Sequence, residues 1–219
     1  MASVSTFGFS FLLKLICLNP KPQKRAVRER HKPSKNGFDY HRSLRLRIQQ
    51  IAFGGMSSAD ALASTEEIIK VPERASAKRA LERFALWRDA HPGALETCPP
   101  LTFASPGGLF RVFFQPDFLV ELDSRRTAIH VWNTRYPLSR NLVLGALSAV
   151  AARFPREGRP DDFAVLSLQD GSLYRWSQAT KEHALIGENL LSMLDMQCKL
   201  ARAELGLPSP WPEIPRPAA

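Results

Sequence analysis

The side chains capable of chemistry are scattered along the chain, and few stand at spacings that a reaction would need. Cys98, His130 and Asn133 come in the chain order of a thiol nucleophile, its base and an orienting amide. Cys98 is followed by Pro99-Pro100, however, so its thiol does not open a helix whose N-terminus would lower the pKa. Ser167 and His183 could supply a hydroxyl and a base, but no acid is placed to orient the ring. The histidines at 31, 41, 91, 130 and 183 show no metal-ligand spacing. Gly107-Gly108 is not followed by Gly-Lys-Ser/Thr, so it marks a turn rather than a phosphate loop. The run Trp132-Asn133-Thr134-Arg135-Tyr136 sets two aromatic rings beside a cation at a strand end. Such a run can stack bases and pair a phosphate, which makes Trp132, Arg135 and Tyr136 the candidate binding surface. The alternative is a strand exit whose rings pack against the next helix.

One constellation goes further. Gln115-Pro116-Asp117-Phe118 opens a strand, and a hairpin leads from it to Ala128-Ile129-His130-Val131-Trp132. With the order helix–β–β–β–helix–β, these residues resemble the restriction-endonuclease-like, PD-(D/E)xK core. In that family an Asp at a Pro-Asp step binds a divalent metal. An acidic residue and a Lys two positions apart on the next strand add a ligand and a base or charge stabiliser. The resemblance therefore implies Asp117 as a ligand for Mg²⁺ or Mn²⁺, which take hard oxygen donors and orient an in-line attack on a phosphodiester. The second half of the motif departs from the family. His130 and Trp132 stand where the acid and the lysine belong, and no lysine occurs between Lys78 and Lys181. Glu121 and Asp123 could bring carboxylates from the strand face of Asp117, which gives Asp117, Glu121 and His130 as the catalytic set of a divergent nuclease. The element order also resembles that of type III secretion chaperones, which are small, dimeric and acidic. That likeness implies a homodimer binding a protein, although this domain is not acidic.

Charge is unevenly spread. Residues 1–55 hold 11 of the 30 Lys/Arg and 2 of the 21 Asp/Glu, so the whole net charge of +9 lies in them and the remainder is neutral. A polyanion partner is accordingly an expectation about this extension and not about the domain. Residues 7–18 are an apolar run interrupted by Lys14, shorter than the roughly 20 residues a membrane span takes. The basic residues follow the run instead of preceding it, the wrong order for a secretory signal. The composition favours a disordered extension, or a start upstream of the true Met56, over a membrane-associating or nucleic-acid-binding arm or a transit peptide. Cys17, Cys98 and Cys198 form no paired spacing, which favours free thiols in a reducing, cytoplasmic setting.

The elements that must position these residues follow from periodicity. Residues 56–72 read as a linker or short helix. Ala77, Ala80, Leu81, Phe84 and Trp87 form one apolar stripe of a helix over 73–90. Leu101–Ala104 and Leu109–Phe114 flank a Ser-Pro-Gly-Gly turn, and Phe118–Leu122 and Thr127–Trp132 alternate as strands. Ser139 caps a helix over 140–153. Phe163–Leu168 and Ser172–Trp176 flank Asp170-Gly171, which predicts a two-residue type I′ hairpin. A last helix, about 182–205, presents Leu191, Leu194, Cys198 and Ala201 as its core face. Residues 207–219 are a proline-rich tail, whose Trp211 and Pro212-x-x-Pro215 have the spacing of a docking motif.

These readings give one α+β domain over 73–206, with a mixed or antiparallel sheet covered by three helices. No catalytic set is complete, so the expected role is a non-catalytic binding or regulatory module without a cofactor, acting through a sheet edge or the last helix. A protein partner is the first expectation. Nucleic acid and a homodimer remain open, and a membrane partner is disfavoured.

Overall fold

The computed structural model describes residues 4–32 and 40–208. Its first elements are β1 (Ser5–Gly8), α1 (Phe9–Ile16), α2 (Pro20–Arg30), α3 (Arg42–Phe53) and α4 (Ser58–Ala63). The helix expected at 73–90 is α5 (Val71–Ala90), with Pro72 in its first turn, where a missing N–H costs nothing. Then follow β2 (Leu95–Glu96), β3 (Leu101–Ala104), β4 (Phe110–Phe114), β5 (Phe118–Leu122) and β6 (Arg125–Trp132). The chain closes with α6 (Arg140–Arg153), β7 (Asp162–Ser167), β8 (Leu173–Arg175) and α7 (Lys181–Glu204). The fold is α+β, with the expected order of elements over its C-terminal two thirds. Trp211, Pro212 and Pro215 lie outside the described residues.

Among the described residues there are two sheets instead of one. The larger has the order β2-β5-β6-β7-β8 and the smaller β1-β4-β3. In the larger, β5 and β6 pair antiparallel, while α6 crosses over so that β7 runs parallel to β6. Every residue of β7 is buried, as expected for a strand covered on both faces. Alternation sends Phe118, Val120 and Leu122, with Ile129, Ala164 and Leu166, toward α5 and α3. Leu119, Ala128, Trp132, Phe163 and Val165 face the other way, into a second core with α1, α6, α7 and the small sheet.

The basic extension is the main correction. Among the described residues it is folded, and its apolar run is core. β1 pairs in parallel with β4, and Phe7, Phe9, Leu12, Leu13 and Leu15 are at most 2% exposed. Burying each such side chain contributes about 1.5–3 kcal/mol. Among the described residues, Lys21, Lys24, Arg25 and Arg30 are exposed on α2, and Arg42 and Arg45 on α3. Among the described residues, no helix is long and apolar enough to cross a membrane.

Two turns also differ from expectation. The φ > 0 pair typical of a type I′ turn falls on Asp123 and Ser124, between the paired Leu122 and Arg125. At Asp170-Gly171 the loop is wider, because Ser167 N donates to Ser172 O, and only Gly171 has positive φ.

Candidate functional site

Asp117 and His130 meet as the sequence suggested, but in a setting it did not. Asp117 stands at the mouth of β5 and His130 in the middle of β6, on the sheet face turned toward α1. Their side chains are 8% and 10% exposed, with Asp117 Oδ2 3.6 Å from His130 Nδ1. That oxygen accepts the Val131 N–H at 2.7 Å, while His130 Nδ1 lies closer to the Gln115 carbonyl, at 3.3 Å. A carbonyl only accepts, so the proton of the neutral ring sits on Nδ1 and leaves Nε2 as an acceptor. Nε2 is 2.8 Å from Ser10 Oγ, whose hydroxyl therefore donates to it. The Phe9 ring packs edge-on against the imidazole, 5.2 Å between centroids.

Electrostatics follow the burial. Desolvation holds the His130 pKa below the ordinary histidine value, although Asp117 and the Gln115 carbonyl pull it upward. Desolvation likewise raises the Asp117 carboxyl, against the opposing pull of His130 and the Val131 N–H.

The succession Ser10, His130, Asp117 has the residue types of a nucleophile, base and orienting acid. The geometry departs from that arrangement at the acid. At 3.6 Å Asp117 does not hold the ring N–H, which goes to Gln115 instead. What remains is a buried polar clamp joining the start of α1 to the middle of the large sheet. Sequence reasoning missed Ser10, a single hydroxyl inside an apolar run read as part of a tail.

The other candidates disperse. Glu121 is exposed on β5, and Asp123 is at the far turn, where Arg175 Nη1 pairs with it at 2.5 Å. Neither carboxylate joins Asp117, because both stand farther along the strand, toward its opposite end. Among the described residues, no three His, Cys, Asp or Glu side chains converge as a metal would need. Trp132 is 1% exposed and belongs to the core, its Nε1 donating to Tyr136 O at 3.3 Å. The alternation that put it on a binding face puts it under α6. Tyr136 is partly buried against the same core, so of the three only Arg135, over the Tyr136 ring, is exposed. Cys98 lacks the activation a nucleophile needs: burial pushes its thiol up to about 11, and it donates weakly to Pro99 O. Asn133 is tied to Ser76 and Gln169. Ser167 is buried at the end of β7, while His183 closes a capping box with Thr180 at the start of α7.

No protein-family model matches the chain, and no curated protein matches it. Among solved structures, one titled "Crystal structure of SSO0001" is similar at a TM-score of 0.32 and 12% identity, over 85% of this chain and 84% of that one. A likeness that distant carries no argument about function.

Proposed function

We propose that the chain is a non-catalytic binding module built on a degenerate PD-(D/E)xK-like core. The observation that carries this reading is the solitary carboxylate. At the strand mouth where the family's metal set would lie, Asp117 has a histidine for a neighbour, itself bonded to Ser10, and its Oδ2 is spent on the Val131 amide. A divalent ion needs several oxygen donors, and this site offers one carboxylate in a desolvated pocket.

Element order supports the kinship. With the β3–β4 hairpin set aside in its own sheet, α5, β2, β5, β6, α6 and β7 run in the order helix–β–β–β–helix–β, and β8 follows as the edge strand of the large sheet. The hairpin is then an insertion that, with β1, covers one side of the old site.

The runner-up is a divergent nuclease using Mg²⁺ or Mn²⁺ on Asp117, and calorimetric titration of the full chain with Mn²⁺ separates the two. The module gives no saturable heat and leaves plasmid DNA intact. Saturable Mn²⁺ binding that disappears in Asp117→Ala, or metal-dependent nicking, would establish the nuclease instead.

A further inference from the structure

The basic charge that composition assigned to a tail is carried in part by a docked helix, and this gives it a direction. Lys21, Lys24, Arg25 and Arg28 recur on α2 at i, i+3, i+4 and i+7, a single face. The opposite face is fixed. Val27 and Gln23 are buried, Gln23 Nε2 donates to Leu15 O at 2.8 Å, and Gln197 of α7 donates to Gln23. The helix cannot roll its cations inward.

The four cations line a concavity of about 600 Å³ together with Pro22 and Glu204. Glu204, at the end of α7, pairs with Lys24 at 2.6 Å and reaches Arg28 at 3.9 Å. Glu204 in the lining and Glu29, 4.0 Å from Arg28, set two carboxylates against four cations, which leaves the concavity positive. Among the described residues, Lys21 and Arg25 make neither a hydrogen bond nor an ion pair. The seam behind this face is also short of acceptors: the buried Nε of Arg28, Nε2 of His31 and Nε of Arg202 have no partner. Arg202 is 6% exposed, and the His31 pKa is lowered by burial first and by the nearby Arg202 charge second.

We propose that this face of α2 binds the phosphodiester backbone of nucleic acid. From Lys21 to Arg28 the helix rises about 10 Å. One nucleic-acid strand presents a phosphate about every 3.4 Å along a duplex axis, so the row matches about three phosphates. A membrane surface fits worse, because an interfacial helix needs an outward apolar face, and none of the large exposed apolar side chains is on α2. Lysine and arginine can also read guanine, but a row matched to successive phosphates spends these side chains on the backbone, which makes the binding indifferent to sequence. Glu204 moderates the affinity by competing for Lys24 and Arg28. The inference stands independently of whether the Asp117 site descends from a nuclease.

The test is fluorescence anisotropy of the full chain with a short labelled duplex and the matching single strand. With about three phosphates neutralised, affinity for the duplex falls roughly 40-fold between about 50 and about 200 mM salt. The double variant Lys21→Glu/Arg25→Glu weakens binding at least about tenfold and reduces the salt slope by about 2. Glu204→Gln tightens binding, and Arg111→Glu, a charge reversal on β4, leaves the salt slope unchanged. Because Lys21 and Arg25 are exposed and unpaired, the double variant keeps the wild-type melting temperature, which is measured alongside. Absence of salt-sensitive binding, equal affinity in the double variant, or binding to anionic vesicles but not to either oligonucleotide would overturn the proposal.

Discussion

Ser10 and His130, 120 positions apart in the chain, meet at 2.8 Å beneath the Phe9 ring. The contact joins the first helix to the central strand of the large sheet, so the segment before Met56 is structural. Phe7 stacks on Phe110 at 4.8 Å, and Phe9 meets Phe114 edge-on at the same separation. A chain beginning at Met56 leaves these rings uncovered, with β4 an apolar edge. Such a chain is expected to aggregate or to melt without a cooperative transition, whereas the full chain melts cooperatively. Thermal unfolding followed by circular dichroism decides it. A Met56 chain that melts sharply within a few degrees of the full one would show that β1 and α1 are dispensable.

The same clamp sets a pH dependence. Burial keeps the His130 pKa below its unfolded value of about 6.5, so near that pH the unfolded chain binds more protons and stability rises with pH. The contribution of the neutral ring is present above about pH 6.5 and is lost as pH falls toward the folded value. His31, also depressed by burial and by Arg202, acts in the same sense. The Asp117 carboxyl, raised by desolvation, has the opposite slope, its contribution fading as pH rises through the folded value. The clean measurement is therefore a difference. The gap in melting temperature between wild type and His130→Gln should narrow between pH 7.5 and pH 5.5, and a gap that widens would refute a buried neutral His130.

Much of this fold is legible because its signals are local. The stripe from Ala77 to Trp87 and that from Leu191 to Ala201 mark α5 and α7 as core helices, and alternation along β5 assigns Phe118, Val120 and Leu122 to one face. What was illegible is non-local. Residues 7–16 look like an orphan apolar run because their partner, β4, lies more than a hundred residues downstream. Trp132 resembles a surface ring only if nothing covers its face, and α6 does. In the site, the Pro-Asp step pointed to Asp117 and its opposite number His130. Ser10 carried no signal, since a lone serine gains meaning only from the imidazole that the fold brings to it.

The cysteines give a third prediction. Desolvation raises all three thiols, Cys17 in direction, Cys98 to about 11 and Cys198 to about 12, the last helped by the Asp195 charge. At pH 8 this leaves almost no thiolate, the reactive form, at Cys98 and Cys198, and less at Cys17 than an unburied thiol would have. Ellman's reagent should therefore label the native chain slowly and the unfolded chain rapidly at all three positions. A fast stoichiometric thiol in the native protein would mean that Cys98, the candidate nucleophile, is activated after all.

The last prediction concerns the crossing of α6 and α7, where Gly145 and Gly187 bring two backbones together. A Cβ on Gly187 would run into the Gly145 carbonyl oxygen, and one on Gly145 would meet Ile186 Cγ2 at 2.9 Å and Gly187 N at 3.1 Å. Both glycines are helical, so the reason for them is space and not a left-handed φ. Relief requires the helices to separate, yet each is pinned on its other side. Leu194 and Cys198 of α7 are fully buried, and Asp195 accepts from Ser105 Oγ at 2.6 Å and from the Gly107 and Leu109 amides. Helix propensity alone would favour alanine over glycine by about 1 kcal/mol. Overpacking costs about 1–3 kcal/mol in ordinary cores and more where backbone must move, so the clash outweighs that gain. Gly187→Ala should lower the melting temperature by several degrees, at roughly 2–4 °C per kcal/mol for a chain of this size. The exposed Gly158, with positive φ and nothing near its Cβ, provides the contrast. Its replacement by alanine should cost only local backbone strain, about 1–2 kcal/mol. A Gly187→Ala chain as stable as wild type would mean that the two helices do not cross at this distance in solution.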